Sequence, residues 1–112
     1  MRLNHIHLMV SDVEGTRAFL ETYFGMNTHP GARPKFAVMR DDAHNIVTLM
    51  QGKDCVYPKH FHVGFTQPDE QSVNALYERL KAAGHSPSTP ERSHAWSFYI
   101  KAPGGFLIEV LA

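Results

Sequence analysis

The sequence predicts an α+β fold: two βαβββ modules in one chain, forming a curled, mostly antiparallel sheet around a cup-shaped site, with the helices on the outer face. Three observations carry this expectation. HIHLMVSDVEGTRAFLETYFG at 5–25 and HVGFTQPDEQSVNALYERLKAAG at 62–84 share one plan: a histidine-bearing apolar strand, an acidic turn, and an amphipathic helix ending in glycine. FAVMRDDAHNIVTLM at 36–50 lays over SFYIKAPGGFLIEVL at 97–111 without a gap. Neither helix is long enough to connect a large parallel sheet, so helices layered on one face of an antiparallel sheet fit better.

The elements follow in order. Residues 3–10 alternate, with Ile6, Leu8 and Val10 on one face and Leu3, His5, His7 and Met9 on the other, the period of a half-buried strand. Ser11 is expected to cap a helix, with Glu14 as the capping-box acid. Ala18, Phe19, Tyr23 and Phe24 form its stripe, and Gly25 stops it. Residues 26–30 suggest a short strand, and 36–50 read as strand, tight turn, strand, turning at Asp41-Asp42-Ala43-His44. The second module repeats this. Phe61, Val63 and Phe65 alternate with His60, His62, Gly64 and Thr66. Pro68-Asp69-Glu70 starts a helix with the stripe Val73, Leu76, Tyr77 and Leu80, ended by Gly84. A short strand is expected within 85–90, then a strand pair turning at Ala102-Pro103-Gly104-Gly105. The helices are expected to sit on Ile6/Leu8/Val10 and Phe61/Val63/Phe65, so the histidine-bearing faces would line the cup.

The chain of 112 residues is read as a single domain, residues 1–112, with module one at about 1–52 and module two at about 58–112. Half of it alone would be marginal, because a small chain buries too little of its surface. Eleven basic and eleven acidic residues balance, without a basic run, which argues against nucleic acid as a partner. No stretch is long and apolar enough to cross a bilayer, and the start of the chain lacks a signal-peptide pattern. Cys55 is the only cysteine, so no internal disulfide forms. These features together suggest a cytoplasmic protein.

Eight histidines are many for this length. His29, His44, His85 and His94 read as loop or strand-end residues, whereas His5/His7 and His60/His62 form two His-x-His pairs. Superposing the repeats places His5 on His62 and Thr48 on Glu109. Glu109 interrupts the apolar strand GGFLIEVLA, where an unpaired carboxylate is costly. By strand parity it lies opposite Phe106, Ile108 and Val110, on the face expected to carry His62. Two imidazoles and a carboxylate, His5, His62 and Glu109, are a set suited to Fe(II), Zn or Mn with positions left open for substrate.

The pattern LNHIHLMVSDVEGTRAFLETYFGM … HVGF … LKAAG … PGGFLIEVL resembles the vicinal oxygen chelate superfamily across essentially the whole chain. That group includes glyoxalase I, fosfomycin-resistance thiol transferases, extradiol dioxygenases and bleomycin-binding proteins. The resemblance implies paired βαβββ modules, a cup-shaped metal site fed by the first and last strands of each module, a small-molecule substrate, and a homodimer that can exchange modules between chains. It implies one divalent ion (Fe, Mn, Zn or Ni) at His5, His62 and Glu109. Thr48 stands where glyoxalase I-like sites carry a glutamate, so the remaining set is closer to the fosfomycin-resistance and dioxygenase branches. RSHAWSFYIKAPGG at 92–105 is similar to the fosfomycin-resistance enzymes at Ser93, Ser97 and Tyr99. His7 and His60 are candidate proton-transfer groups, because imidazole titrates near neutrality, and Tyr99 is a further catalytic candidate. Ser97 and the charged pair Arg40 and Lys101 are candidates for substrate binding. The expected function is a metal-dependent enzyme whose substrate chelates the ion through oxygens. Extradiol dioxygenase-like chemistry and thiol-transfer or isomerase chemistry both stay open. The competing expectation is a metal-free protein that sequesters a ligand in the same cup.

Overall fold

The computed structural model describes residues 1–112. The element order is β1 (His5–Val10), α1 (Val13–Phe24), β2 (Asn27–Thr28), β3 (Phe36–Arg40), β4 (Ile46–Gln51), β5 (His62–Thr66), α2 (Glu70–Ala82), β6 (Glu91–Arg92), β7 (Trp96–Lys101) and β8 (Leu107–Leu111). This is βαβββ twice, the α+β arrangement of two modules expected from the repeat. The strands form two four-stranded sheets, ordered β1-β4-β3-β2 and β5-β8-β7-β6. Each combines one parallel pair, β1 with β4 or β5 with β8, and two antiparallel pairs. The chain divides into two compact units: Met1–Val56 with Pro103–Gly105, and Tyr57–Ala102 with Phe106–Ala112.

In the first unit, α1 begins at Asp12, whose side chain accepts from the Gly15 N–H at 2.8 Å. The cap is therefore Asp12 and not Ser11: a carboxylate at this position satisfies an orphan amide of the first turn directly. The helix ends where Gly25 turns left-handed, φ +65°. Val13, Phe19 and Leu20 bury against β2, β3 and β4, together with Ala37, Met39 and Leu49. Leu8 and Val10 are buried, but Ile6 is 45% exposed. Its strand is the sheet edge, and the helix lies over the other strands instead.

The second unit repeats the logic. Asp69 caps α2 by accepting from the Ser72 N–H at 2.7 Å. Val73, Leu76 and Leu80 bury against β7 and β8, which supply Phe98, Ile100, Ile108 and Val110. The Tyr77 ring lies edge-on to Phe98 at 5.8 Å, and the Trp96 indole N–H donates to Asn74 Oδ1 at 2.8 Å. Trp96 and Phe98 thus face α2. Phe61, Val63 and Phe65 are only half-buried, because β5 is again the edge strand. The expected strand within 85–90 forms instead at Glu91–Arg92. Ser88 does bond to β7 through its N–H to Tyr99 O at 2.8 Å, but Pro87 and Pro90 on either side have no N–H to extend a ladder.

Candidate metal centre

The register confirms the superposition of the repeats. His5 pairs with Ile46 and His7 with Thr48 in the first unit; His62 pairs with Leu107 and Gly64 with Glu109 in the second. Glu109 also sits directly across from Tyr99 in the β7–β8 ladder.

Glu109 is buried, 4% exposed, and its carboxylate gathers three side chains. The Tyr99 hydroxyl donates to Oε1 at 2.9 Å. His94 Nε2 lies 3.0 Å from the same oxygen, and His62 Nε2 lies 3.3 Å from Oε2. The His62 ring stands edge-on to Tyr99 at 5.7 Å. Burial, followed by the hydrogen bond to Glu109, pushes the Tyr99 hydroxyl pKa up. The carboxylate is affordable in this apolar strand because every neighbour it meets can donate to it or share a cation with it.

The posture of His62 is informative. Its Nδ1 lies 2.9 Å from the His60 carbonyl oxygen, which can only accept, so Nδ1 carries a hydrogen. In the neutral ring Nε2 is then a lone pair aimed at a carboxylate oxygen. Two acceptors face each other, and a proton or a metal ion between them removes the conflict. His5 Nδ1 likewise lies 2.8 Å from an oxygen, the side-chain Oδ1 of Asn4. Holding one ring nitrogen on an oxygen acceptor is how proteins fix the tautomer of a ligating histidine.

Of the residues singled out in the sequence, the second unit brings together His62, Tyr99 and Glu109. His60 contributes its backbone carbonyl, while its side chain is exposed. Ser97 is buried at 2% exposure, and Lys101 is exposed at the end of β7. In the first unit His7 Nδ1 and Thr48 Oγ1 are hydrogen-bonded at 2.7 Å, and Arg40 is exposed at the end of β3. His94 was not foreseen. It lies in the tight turn before β7, where Ser93 N–H bonds to Ala95 O, and no strand or helix period marks it.

No group of three or more His, Cys, Asp or Glu side chains in the chain forms a complete metal-binding set. The donors that are present nevertheless fit a divalent ion such as Zn or Fe: an imidazole nitrogen with its tautomer fixed, beside a buried carboxylate. No helix is long and apolar enough to cross a membrane.

A profile of the Glyoxalase/Bleomycin resistance protein/Dioxygenase superfamily matches residues 2–110. No curated protein gives a significant match. Among solved structures, the chain is similar to a possible glyoxalase from Bacillus cereus, with 46% identity and a TM-score of 0.95, covering 100% of this chain and 99% of that one. It is also similar to the genomically encoded fosfomycin resistance protein FosX from Listeria monocytogenes, complexed with Mn(II) and sulfate. There the identity is 24% and the TM-score 0.83, over 99% of this chain and 89% of that one. Lactoylglutathione lyase from Agrobacterium tumefaciens shares 18% identity at a TM-score of 0.78, over 98% and 92% of the two chains. The last two likenesses establish a common fold. With a profile match that spans nearly its whole length, laid over two βαβββ modules, the chain belongs to the glyoxalase/bleomycin resistance protein/dioxygenase superfamily.

Proposed function

We propose that the protein is a metal-dependent small-molecule enzyme of this superfamily, acting as a cytoplasmic homodimer. His62 and Glu109 would hold a divalent ion (Fe, Mn, Zn or Ni), with His5 as the third ligand, since it occupies in the first unit the register position of His62 in the second. The observation that carries this reading is the aim of His62 Nε2 at Glu109 Oε2, with Nδ1 committed to the His60 carbonyl. Mn(II) in the similarly folded FosX lends it support.

When bound, the ion supplies Lewis acidity toward two oxygens of the substrate. The protein's own groups do the rest. Tyr99 holds Glu109 through Oε1 and orients the carboxylate. His7, steadied by Thr48, and the exposed His60 are proposed to move the substrate proton. Arg40 and Lys101 would draw in an anionic group, and Ser97, on the strand face of Tyr99, would support it. Ring-opening dioxygenation and thiol-transfer or isomerase chemistry are both compatible with these roles.

One observation favours a second reading, a metal-free ligand-sequestering protein: Tyr99, His94 and His62 already occupy both oxygens of Glu109. Metal analysis of protein purified without added metal or chelator decides between them. The enzyme reading expects about one ion per chain, lost in His62→Ala. Absence of metal from the wild type, even after reloading, would sink it and leave the sequestering protein.

A further inference from the structure

We propose that the first unit carries a binding cleft for a small organic anion with an apolar body, built from residues that the metal site does not use. The cleft is about 910 Å³ and is lined by Arg33, Lys35, Lys53, Phe36 and Met50, among others. That volume lies in the range of small-molecule sites, roughly 300–1,000 Å³.

Its charge is local. The chain as a whole is balanced, yet the cleft gathers three cations against a single carboxylate, Asp54. None of the three cations takes part in an ion pair, unlike Arg17 and Arg92, which are held by glutamates. Arg33 instead lies over the Phe36 ring, 5.9 Å from its centre. Cations left free at one mouth focus a field that attracts an anion.

Its walls are fixed. Arg33 and Phe36 exchange backbone hydrogen bonds at 2.8 and 3.1 Å, closing a turn around Pro34 and holding Arg33 and Lys35 at the rim. The Lys35 carbonyl accepts from Gln51 N–H at 2.9 Å, and Gly52 N–H bonds to Val10 O at 2.8 Å. Gly52 lets the wall sit close: a Cβ would come within 2.5 Å of Cys55 Sγ and 3.3 Å of Met9 Cε and would displace them. Fixed walls lower the ordering cost of binding.

Its floor is apolar. Phe36 and Met50 are register partners in the β3–β4 ladder, and Met50 is 39% exposed. Cations around an exposed thioether and a phenyl ring suit a ligand with a charged head and an apolar body, such as an aryl or alkyl phosphonate, phosphate or carboxylate.

The test is an NMR titration of the metal-stripped full chain with phenylphosphonate. Inorganic phosphate supplies the head alone, and benzyl alcohol the body alone. The proposal expects saturable amide shifts at Lys35, Gly52 and Lys53 with phenylphosphonate, smaller with either half. The double variant Lys35→Gln/Lys53→Gln should weaken binding roughly fivefold to tenfold, since two solvent-facing charges are removed. Shifts confined to other residues, an unchanged Kd in the double variant, or phosphate binding as tightly as phenylphosphonate would each overturn it. Stripping the metal keeps the two proposals separate: failure here leaves the metal analysis untouched, and an absent metal site leaves this titration untouched.

Discussion

The two units share a frame and differ at the pair of positions where the frame meets chemistry. In the first, His7 faces Thr48 across β1 and β4, and the two side chains bond to each other. In the second, the same ladder position pairs Gly64 with Glu109. Without a side chain on Gly64, the carboxylate is left to its neighbours, and His62, His94 and Tyr99 close on it. One unit keeps its polar pair closed, while the other presents a buried carboxylate to an imidazole. The backbone plan is shared, and the pairs His7–Thr48 and Gly64–Glu109, with Tyr99 where the first unit has Val38, make the two copies chemically unlike.

The largest difference to test lies in the hairpin turns. Ala43 in the first hairpin corresponds to Gly104 in the second, and Ala43 is exposed. Gly104 is buried in the first unit, its carbonyl accepting from Ser11 N–H at 3.3 Å. A Cβ there would meet Thr16 Oγ1 at 2.4 Å and Val10 Cβ at 2.7 Å, and neither can retreat, because both are fully buried. Gly104→Ala should therefore cost about 1–3 kcal/mol by overpacking. Ala43→Gly, on open surface, should stay within about 0.5 kcal/mol. Urea unfolding of the two variants measures both. Equal costs would mean that the turn sequences are interchangeable and that the close approach at Gly104 has no energetic weight.

How far the sequence disclosed all this depends on the distance over which each feature is encoded. The two strand-helix units and the paired hairpins were legible, because alternation, acidic caps and glycine stops are local signals. The importance of Glu109 was legible too, since a carboxylate inside GGFLIEVLA contradicts its surroundings. Local reading failed where a choice depends on tertiary partners. Ile6 has the parity of a core residue but sits on an edge strand, 45% exposed. His94 has no pattern of its own, and it gains meaning only because the turn before β7 folds it back onto Glu109. The Arg33–Lys35–Lys53 cleft joins a turn to a linker, and no spacing rule connects them.

A second variant rewrites the comparison at its centre. Gly64→His would give the second unit the histidine that the first has at residue 7. A Cβ at Gly64 meets only Leu111 Cδ2 at 3.7 Å, an ordinary contact, so the fold should tolerate it. The new imidazole would stand beside Glu109 as His7 stands beside Thr48. For the ion proposed at Glu109, an imidazole beside the carboxylate is both a hydrogen-bond partner worth about 1.5–3 kcal/mol and a further donor, so affinity should change by about tenfold or more while stability changes little. Competitive chelator titration gives the affinity. Unchanged binding of the proposed ion would count against Glu109 as its ligand and would leave the contrast between Gly64 and His7 without consequence.

The smallest expected effect lies where the units agree. Both helices are capped by aspartate, Asp12 on Gly15 N–H and Asp69 on Ser72 N–H. Hydrogen bonds donated by the Ser72 side chain, and next by its backbone N–H, hold the Asp69 carboxyl below the usual carboxylate range. A lowered pKa means that the unfolded chain binds its proton more readily than the folded one. The cap's extra stability is thus complete above the unfolded value of about 3.9 and is lost as pH falls through the folded value. Asp69→Asn keeps an accepting oxygen at the cap but does not titrate. The Tm advantage of wild type over Asp69→Asn should be constant from about pH 7 to pH 5 and should shrink between about pH 4 and pH 2. A gap that stays level through the acid range would mean that the cap acts through its shape alone, so that charge adds nothing to the start of α2.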